Sequence, residues 1–286
     1  MRKAFIASTF WLLPLQASLG QIAAPNDVRV SMGHLHYFVA DVEANRDFWV
    51  GLGGTAVPFA AGEIITLPGV LILISERGSD SEASSESEAS LLDHVAFRVE
   101  SLEALASRGF ELELLEAFPG IASIYTPAGD RVELFEEGTA TNVGFEAEPG
   151  FENPVAGRHN RPLVGSIDSH HLHFYLPEDQ VLTARGWYVE HFGAVPGIRW
   201  RYDAADLPGM NLNFSATGPA RAPTSGQSLD HIGFEIENLE AFCRELEAAG
   251  IDFDSPYRRV SPTFAFAILT DPWGTTLELT EGLTEF

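Results

Sequence analysis

The chain has 286 residues, 45% of them hydrophobic, and carries 17 Lys+Arg against 41 Asp+Glu for a formal net charge of −24. So acidic a surface repels nucleic acid and anionic membranes, and neither is an expected partner. The sole lysine is Lys3 and the sole cysteine is Cys243, which leaves no amine for a Schiff base once a leader is removed and no pair for a disulfide.

The leader is residues 1–20. Arg2 and Lys3 precede an apolar run from Ala4 to Leu15, and Ser18-Leu19-Gly20 supplies small residues for cleavage, the pattern of a secretory signal peptide. The run falls short of the roughly 20 residues that span a bilayer, and no cysteine follows for a lipid anchor. A secreted or periplasmic protein is expected, with no membrane contact after signal removal.

Four stretches then share one register: Gly33-His-Leu-His-Tyr-Phe-Val-Ala-Asp41, Asp93-His-Val-Ala-Phe-Arg-Val-Glu-Ser101, His170-His-Leu-His-Phe-Tyr-Leu-Pro-Glu178 and Asp230-His-Ile-Gly-Phe-Glu-Ile-Glu-Asn238. Each has a histidine second, and 60 residues separate His34 from His94 and again His171 from His231. A strand that opens on an imidazole four times over gathers metal ligands at a common centre.

Each stretch begins a unit. After the first come Phe48, Trp49 and Leu52 on a helix, closed by Gly53-Gly54. The run Ser79–Ser90, serine and glutamate almost throughout, is an expected mobile tether. The second unit has Leu102 and Leu105 on its helix, Gly109 at the helix end and Pro127-Ala-Gly-Asp130 as its last turn. From Gly138 to Ser169 periodic apolar residues give way to Thr, Gly, Glu, Asn and Pro, a linker. The third unit has Trp187, Tyr188 and Phe192 ahead of Gly193.

In the fourth, His231–Ile236 alternates as a strand. Leu239, Phe242, Cys243, Leu246 and Ala249 mark one helical face, and Gly250 caps it. Strands are predicted over Ile251–Tyr257, Phe264–Thr270 and Thr275–Glu281, with Asp271-Pro-Trp-Gly274 turning between the last two. Cys243 reads as a small core residue. The fold class is α+β, four βαβββ units paired into two domains, each a curved mixed sheet enclosing a cavity. The division is 1–20 signal, 31–140 first domain, 141–168 linker and 169–286 second domain. With both domains in one chain, a monomer suffices.

These paired units, with Asp47-Phe-Trp-Val-Gly-Leu-Gly-Gly54 and Trp187-Tyr-Val-Glu-His-Phe-Gly193 after the head strands and Pro-x-Gly-x-x-x-Glu at the unit ends, resemble the vicinal oxygen chelate (VOC) superfamily. It includes glyoxalase I, extradiol dioxygenases, fosfomycin-resistance enzymes, methylmalonyl-CoA epimerase and bleomycin-resistance binding proteins. The resemblance covers Met32 to Phe286 and implies metal ligands at the start of a head strand and on a last strand. Four residues after the turn glycine lie Glu133 and Glu278, but Leu73 and Asn213 in the other units. The implied sets are His34, His94 and Glu133 in domain one, and His171, His231 and Glu278 in domain two.

Two imidazoles and one carboxylate leave coordination positions open, a set that favours Fe(II) with dioxygen, Zn and Mn being alternatives. His36 and His173, two residues beyond their neighbours, face the same way and are candidate general bases. Asn213, Tyr257 and Arg258 are candidate substrate contacts. Extradiol enzymes carry a tyrosine and a histidine upstream of the glutamate. The tyrosine position here holds Ser123 or Ile268, and neither segment has the histidine, so catechol cleavage by that route is not expected.

The expected function is a divalent-metal enzyme of dioxygenase-like type acting on a small oxygen-bearing molecule. The alternatives are a non-catalytic sequestration protein of the bleomycin-resistance type and a glyoxalase-like lyase or isomerase.

Overall fold

The computed structural model describes residues 22–59, 62–78, 89–139, 144–152, 163 and 165–285. The expected signal, most of the 79–90 tether and much of the 141–168 linker lie outside them. All four units have the order predicted. The first is β1 (Val30–Val39), α1 (Val42–Leu52), β2 (Thr55–Phe59), β3 (Gly62–Leu67) and β4 (Val70–Glu76). The second is β5 (Leu92–Val99), α2 (Leu102–Ser107), β6 (Glu113–Leu114), β7 (Ile121–Tyr125) and β8 (Arg131–Glu136).

A short β9 (Phe145–Ala147) precedes the third unit, which is β10 (Ile167–Pro177), α3 (Val181–Phe192), β11 (Val195–Arg199), β12 (Tyr202–Leu207) and β13 (Met210–Thr217). The fourth is β14 (Leu229–Ile236), α4 (Leu239–Ala248), β15 (Ser255–Arg259), β16 (Ala265–Thr270) and β17 (Thr276–Glu281). Among the described residues no helix is long and apolar enough to cross a membrane.

The helices form where the apolar spacing placed them. On α4, Leu239, Phe242, Cys243 and Leu246 are buried, and the chain leaves through Gly250 at φ +88°, a conformation that costs glycine little. Ala249 is exposed rather than on the stripe, and the strand expected from Ile251 begins at Ser255. Burial pushes the Cys243 thiol up to about 12, as suits an inert core residue.

The pairing of units is the main departure. One sheet has the order β15-β16-β17-β14-β1-β4-β3-β2 and the other β6-β7-β8-β5-β10-β13-β12-β11-β9. Unit one therefore shares a sheet with unit four, and unit two with unit three, through antiparallel β1–β14 and β5–β10 pairs. Each sheet draws on both halves of the chain, so the sheets do not follow the 31–140 and 169–286 division. The expected linker adds structure of its own, since β9 pairs with β11 and β10 starts at Ile167.

Strand alternation sends the histidines to one face and apolar residues to the other. Leu35, Tyr37, Val95, Phe97, Leu172, Phe174, Ile232 and Phe234 all join a single core. The helices tie the two sheets together there. Trp49 of α1 packs 5.8 Å from Phe97 of β5, and Phe192 of α3 packs 5.0 Å from Phe234 of β14 (ring centroids). Tyr188 of α3 donates to Asp271 Oδ2 at 2.8 Å across the same junction. The histidine faces turn away from this shared core.

Candidate metal centre

In the first sheet two rows run across adjacent strands. One holds Leu71, His34, Gly233, Glu278 and Ile268; the other places Leu73 beside His36 and His36 beside His231. A β-bulge between Met32 and His34 re-aims β1 at this point. Glu278 Oε2 lies 2.9 Å from His34 Nε2 and 3.2 Å from His231 Nε2. The donor atoms of His34, His36, His231 and Glu278 all fall within 4.8 Å of one another. The structure thus brings His34 to His231 and Glu278, not to His94 and Glu133.

Electrostatics at this cluster favour a cation. His231 Nδ1 sits 2.8 Å from Asp230 Oδ1 and gives its proton there. Its Nε2 lone pair then faces an ionised carboxylate, which repels unless something positive stands between them. In the metal-free protein that is a proton: burial alone would lower the His231 pKa, but Asp230 and Glu278 hold it up at about 9. The same contacts hold Glu278 well below the usual carboxylate range against the opposing effect of burial. Among the described residues the side chains touching the cluster include two carboxylates, Asp230 and Glu278, and no guanidinium, so a divalent ion neutralises the site. The residues present fit such an ion.

His36 shares Nε2 with Ser75 Oγ at 2.8 Å, and its Nδ1 is buried without a partner. Burial, then the His231 and His34 rings, press its pKa down to about 3 and keep it neutral. The wall beside β1 is apolar: Ile64, Leu71 and Leu283 are buried together, with Leu73, Phe264 and Ile22 packed on them. The register independently sets Leu73 beside His36 as Glu133 is set beside Ala96, so the last strand of this unit offers no ligand.

The second sheet repeats the two rows with different residues: Asn211, His171, Ala96, Glu133 and Ser123, then Asn213, His173, His94 and Arg131. Glu133 Oε2 lies 3.4 Å from His94 Nε2 and 3.7 Å from His171 Nε2, and His173 Nε2 meets Ser215 Oγ at 2.7 Å. Here arginines intrude. Arg199 on β11 reaches His171 Nδ1 at 3.3 Å and His170 Nδ1 at 2.9 Å. That contact joins β10 to a strand three places away, roughly 14 Å in a flat sheet, so the sheet is curled into a cup. Arg131 crowds against His94 Nδ1 and pairs with Asp93 Oδ1 at 2.8 Å.

Burial and then Arg199 hold the His171 pKa well below its ordinary value. Because Arg199 donates to His171 Nδ1, the His171 proton sits on Nε2 and points to His94 Nε2, 3.2 Å away. The donor atoms of His94, His171 and His173 also fall within 4.8 Å of one another, but here guanidiniums stand against two of the three rings, Arg131 at His94 and Arg199 at His171.

Of the remaining candidates, Asn213 lies in the second cup, fully buried, with neither amide atom paired. Tyr257 and Arg258 do not reach either cluster. They lie on the edge strand β15, where Tyr257 packs on the core behind the sheet and Arg258 is exposed. Sequence reasoning missed Asp93, Asp230, Arg131, Arg199 and His170. The Asp-His dipeptide recurring at 93–94 and 230–231 was the available signal for the aspartates. Arg199 had none.

Against this geometry, a family model described as the Glyoxalase/Bleomycin resistance protein/Dioxygenase superfamily matches residues 91–279. A comparison with the curated proteins gives no match. Among solved structures, a Bacillus subtilis protein provisionally assigned as a dioxygenase superposes with TM-score 0.61 at 15% identity, covering 92% of this chain and 86% of that one. Glyoxalase I from Zea mays gives 0.58 at 13%, covering 90% and 94%. The cppA protein of Streptococcus pneumoniae gives 0.51 at 13%, covering 89% and 98%. At these identities the likeness is one of fold.

Proposed function

Because this chain belongs to the Glyoxalase/Bleomycin resistance protein/Dioxygenase superfamily, we propose that it is a divalent-metal enzyme acting on a small oxygen-bearing molecule, with His34, His231 and Glu278 as its ligands. The observation that carries this is a carboxylate oxygen facing two imidazole nitrogens at 2.9 and 3.2 Å, with no guanidinium against them among the described residues. Bound there, iron(II), or zinc or manganese in its place, supplies Lewis acidity and open coordination positions for oxygen donors.

The chain's own groups do the rest. Asp230 fixes the His231 ring with Nε2 inward. Leu71, Leu73 and Ile268 line the flanks, exclude water and favour an apolar body on the substrate. His36, held neutral, offers its Nδ1 lone pair as a hydrogen-bond acceptor to a substrate hydroxyl while Ser75 holds its other nitrogen. With Leu73 at the fourth-ligand position, dioxygenase-like chemistry is better supported than glyoxalase-like isomerisation.

The test is metal analysis of untagged protein reconstituted with iron(II), zinc or manganese. About one ion per chain is expected, lost in Glu278→Gln and His231→Ala with circular dichroism unchanged. Fewer than about one ion per ten chains in the wild type rejects the enzyme reading. We also propose export through cleavage near Gly20, checked by N-terminal sequencing of protein recovered outside the cytoplasm.

A further inference from the structure

The two cups share one backbone plan, and besides the apolar exchange of Gly233 for Ala96 four matched positions change in polarity. Leu71 and Leu73 on β4 become Asn211 and Asn213 on β13. Ile268 beside Glu278 becomes Ser123 beside Glu133. Thr276, two residues before Glu278, becomes Arg131, two before Glu133. These four changes make the second cup more polar, and the charge changes with them. The carboxylates Asp93, Glu133 and, beside Asn211, Asp206 stand there with three guanidiniums, Arg131 and Arg221 on Asp93 and Arg199 on His171, whereas among the described residues no guanidinium contacts Asp230 or Glu278. A dication is balanced in the first cup and would stand beside two guanidiniums in the second.

Asn213 shows what the second cup takes instead. It is 0% exposed, lies on the histidine-bearing side of β13 in register with His173, and has an amide donor and a carbonyl acceptor both unpaired. Burying an amide without partners costs on the order of 1–3 kcal/mol, so a polar ligand that meets both atoms is strongly favoured. At the other end of the row Arg131, its side chain 31% exposed, pairs with Asp93 Oδ1 at 2.8 Å and keeps part of its guanidinium toward solvent. Arg131 is on β8, three strand spacings from Asn213 on β13, and its guanidinium reaches back to His94 on β5, two spacings from Asn213 or roughly 10 Å.

We propose that the second cup is a metal-free site for a small hydroxylated carboxylate. The carboxylate sits at Arg131, with Arg199 behind His171 adding positive potential. The ligand hydroxyl donates to Asn213 Oδ1, while Nδ2 donates to a ligand oxygen. The two cups of one chain then recognise different chemistry, a metal-bound guest in one and an organic anion in the other. Neither site requires the other to be filled.

The experiment is calorimetric titration of metal-stripped full-length protein with malate and with succinate, which lacks the hydroxyl. Malate is expected to bind once per chain and succinate about tenfold more weakly, the ~1.4 kcal/mol of a lost hydrogen bond. Arg131→Thr and Asn213→Leu, each installing the residue of the other cup, are expected to weaken malate at least about tenfold. Both variants are expected to keep the wild-type metal stoichiometry, which certifies their fold. Glu278→Gln should abolish metal uptake and leave malate binding unchanged, so failure of the metal reading and failure of this one are separable. No malate binding, binding indifferent to Arg131→Thr and Asn213→Leu, or two metal ions per chain with the second lost in Glu133→Gln would overturn the proposal.

Discussion

Gly233→Ala tests the first cup most directly. Gly233 lies between His34 and Glu278 in one row of the sheet, and a Cβ built on it falls 2.0 Å from His34 Cε1, 2.1 Å from Nδ1 and 2.6 Å from Nε2. Non-bonded carbons settle at about 3.5–4.0 Å, so the imidazole must retreat by about 1.5 Å. Its residue is fully buried, with the His231 ring 5.8 Å away, and the overpacking costs about 1–3 kcal/mol. A metal–nitrogen bond of about 2.0–2.1 Å has no such slack. One of three protein ligands is displaced, and affinity falls at least about 100-fold, the upper end of what losing an outer hydrogen-bond partner costs. The assay is a metal titration beside thermal unfolding of the metal-free protein. Ala96 is the matched residue in the second cup, where Ala96→Gly leaves metal uptake unchanged. Metal affinity within about twofold of wild type in Gly233→Ala would show that His34 does not ligate in the observed orientation.

Asp230→Asn removes the acceptor that orients His231, and a 10- to 100-fold loss of metal affinity is expected; Asp93→Asn, beside the arginine-filled cup, should leave stoichiometry unchanged. Metal-free protein should lose stability with rising pH between 6.5 and about 9. The folded pKa of His231 is raised to about 9, so its contribution is fully present below 6.5 and is lost as pH climbs through the folded value. Up to about 3 kcal/mol is at stake, read from urea unfolding at pH 6, 7.5 and 9. Metal-loaded protein should not show this loss, and a flat profile in the metal-free protein counts against the Asp230–His231–Glu278 contacts. His171 and His173 act oppositely: their folded pKa values are depressed, so their contribution is present above 6.5 and is lost as pH falls. Tyr188→Phe strips a buried donor from Asp271 Oδ2 and should cost about 1–3 kcal/mol in denaturant unfolding; an unchanged midpoint would mean that water replaces the hydroxyl.

The sequence by itself determined the unit, its strand-helix order and the residue types at the centre. Repetition exposes these: four head strands with a histidine in the same place, two last strands with a glutamate and two without, and helical apolar spacing ahead of a glycine. Such signals are local, set by side-chain alternation and helix pitch within a few residues. Which unit faces which was not local. Because the head strands are so alike, period and spacing fit β1 against β5 as well as β1 against β14. Only the assembled core, with Trp49 on Phe97 and Phe192 on Phe234, distinguishes them. That choice reassigns the partners of His34 and His171, brings Arg199 from three strands away onto one cup and leaves Asn213 buried without a partner. It also strands Tyr257 and Arg258 on an outer edge. The chemistry available to each cup is a property of side chains distant in sequence, and their meeting is decided by packing between sheets.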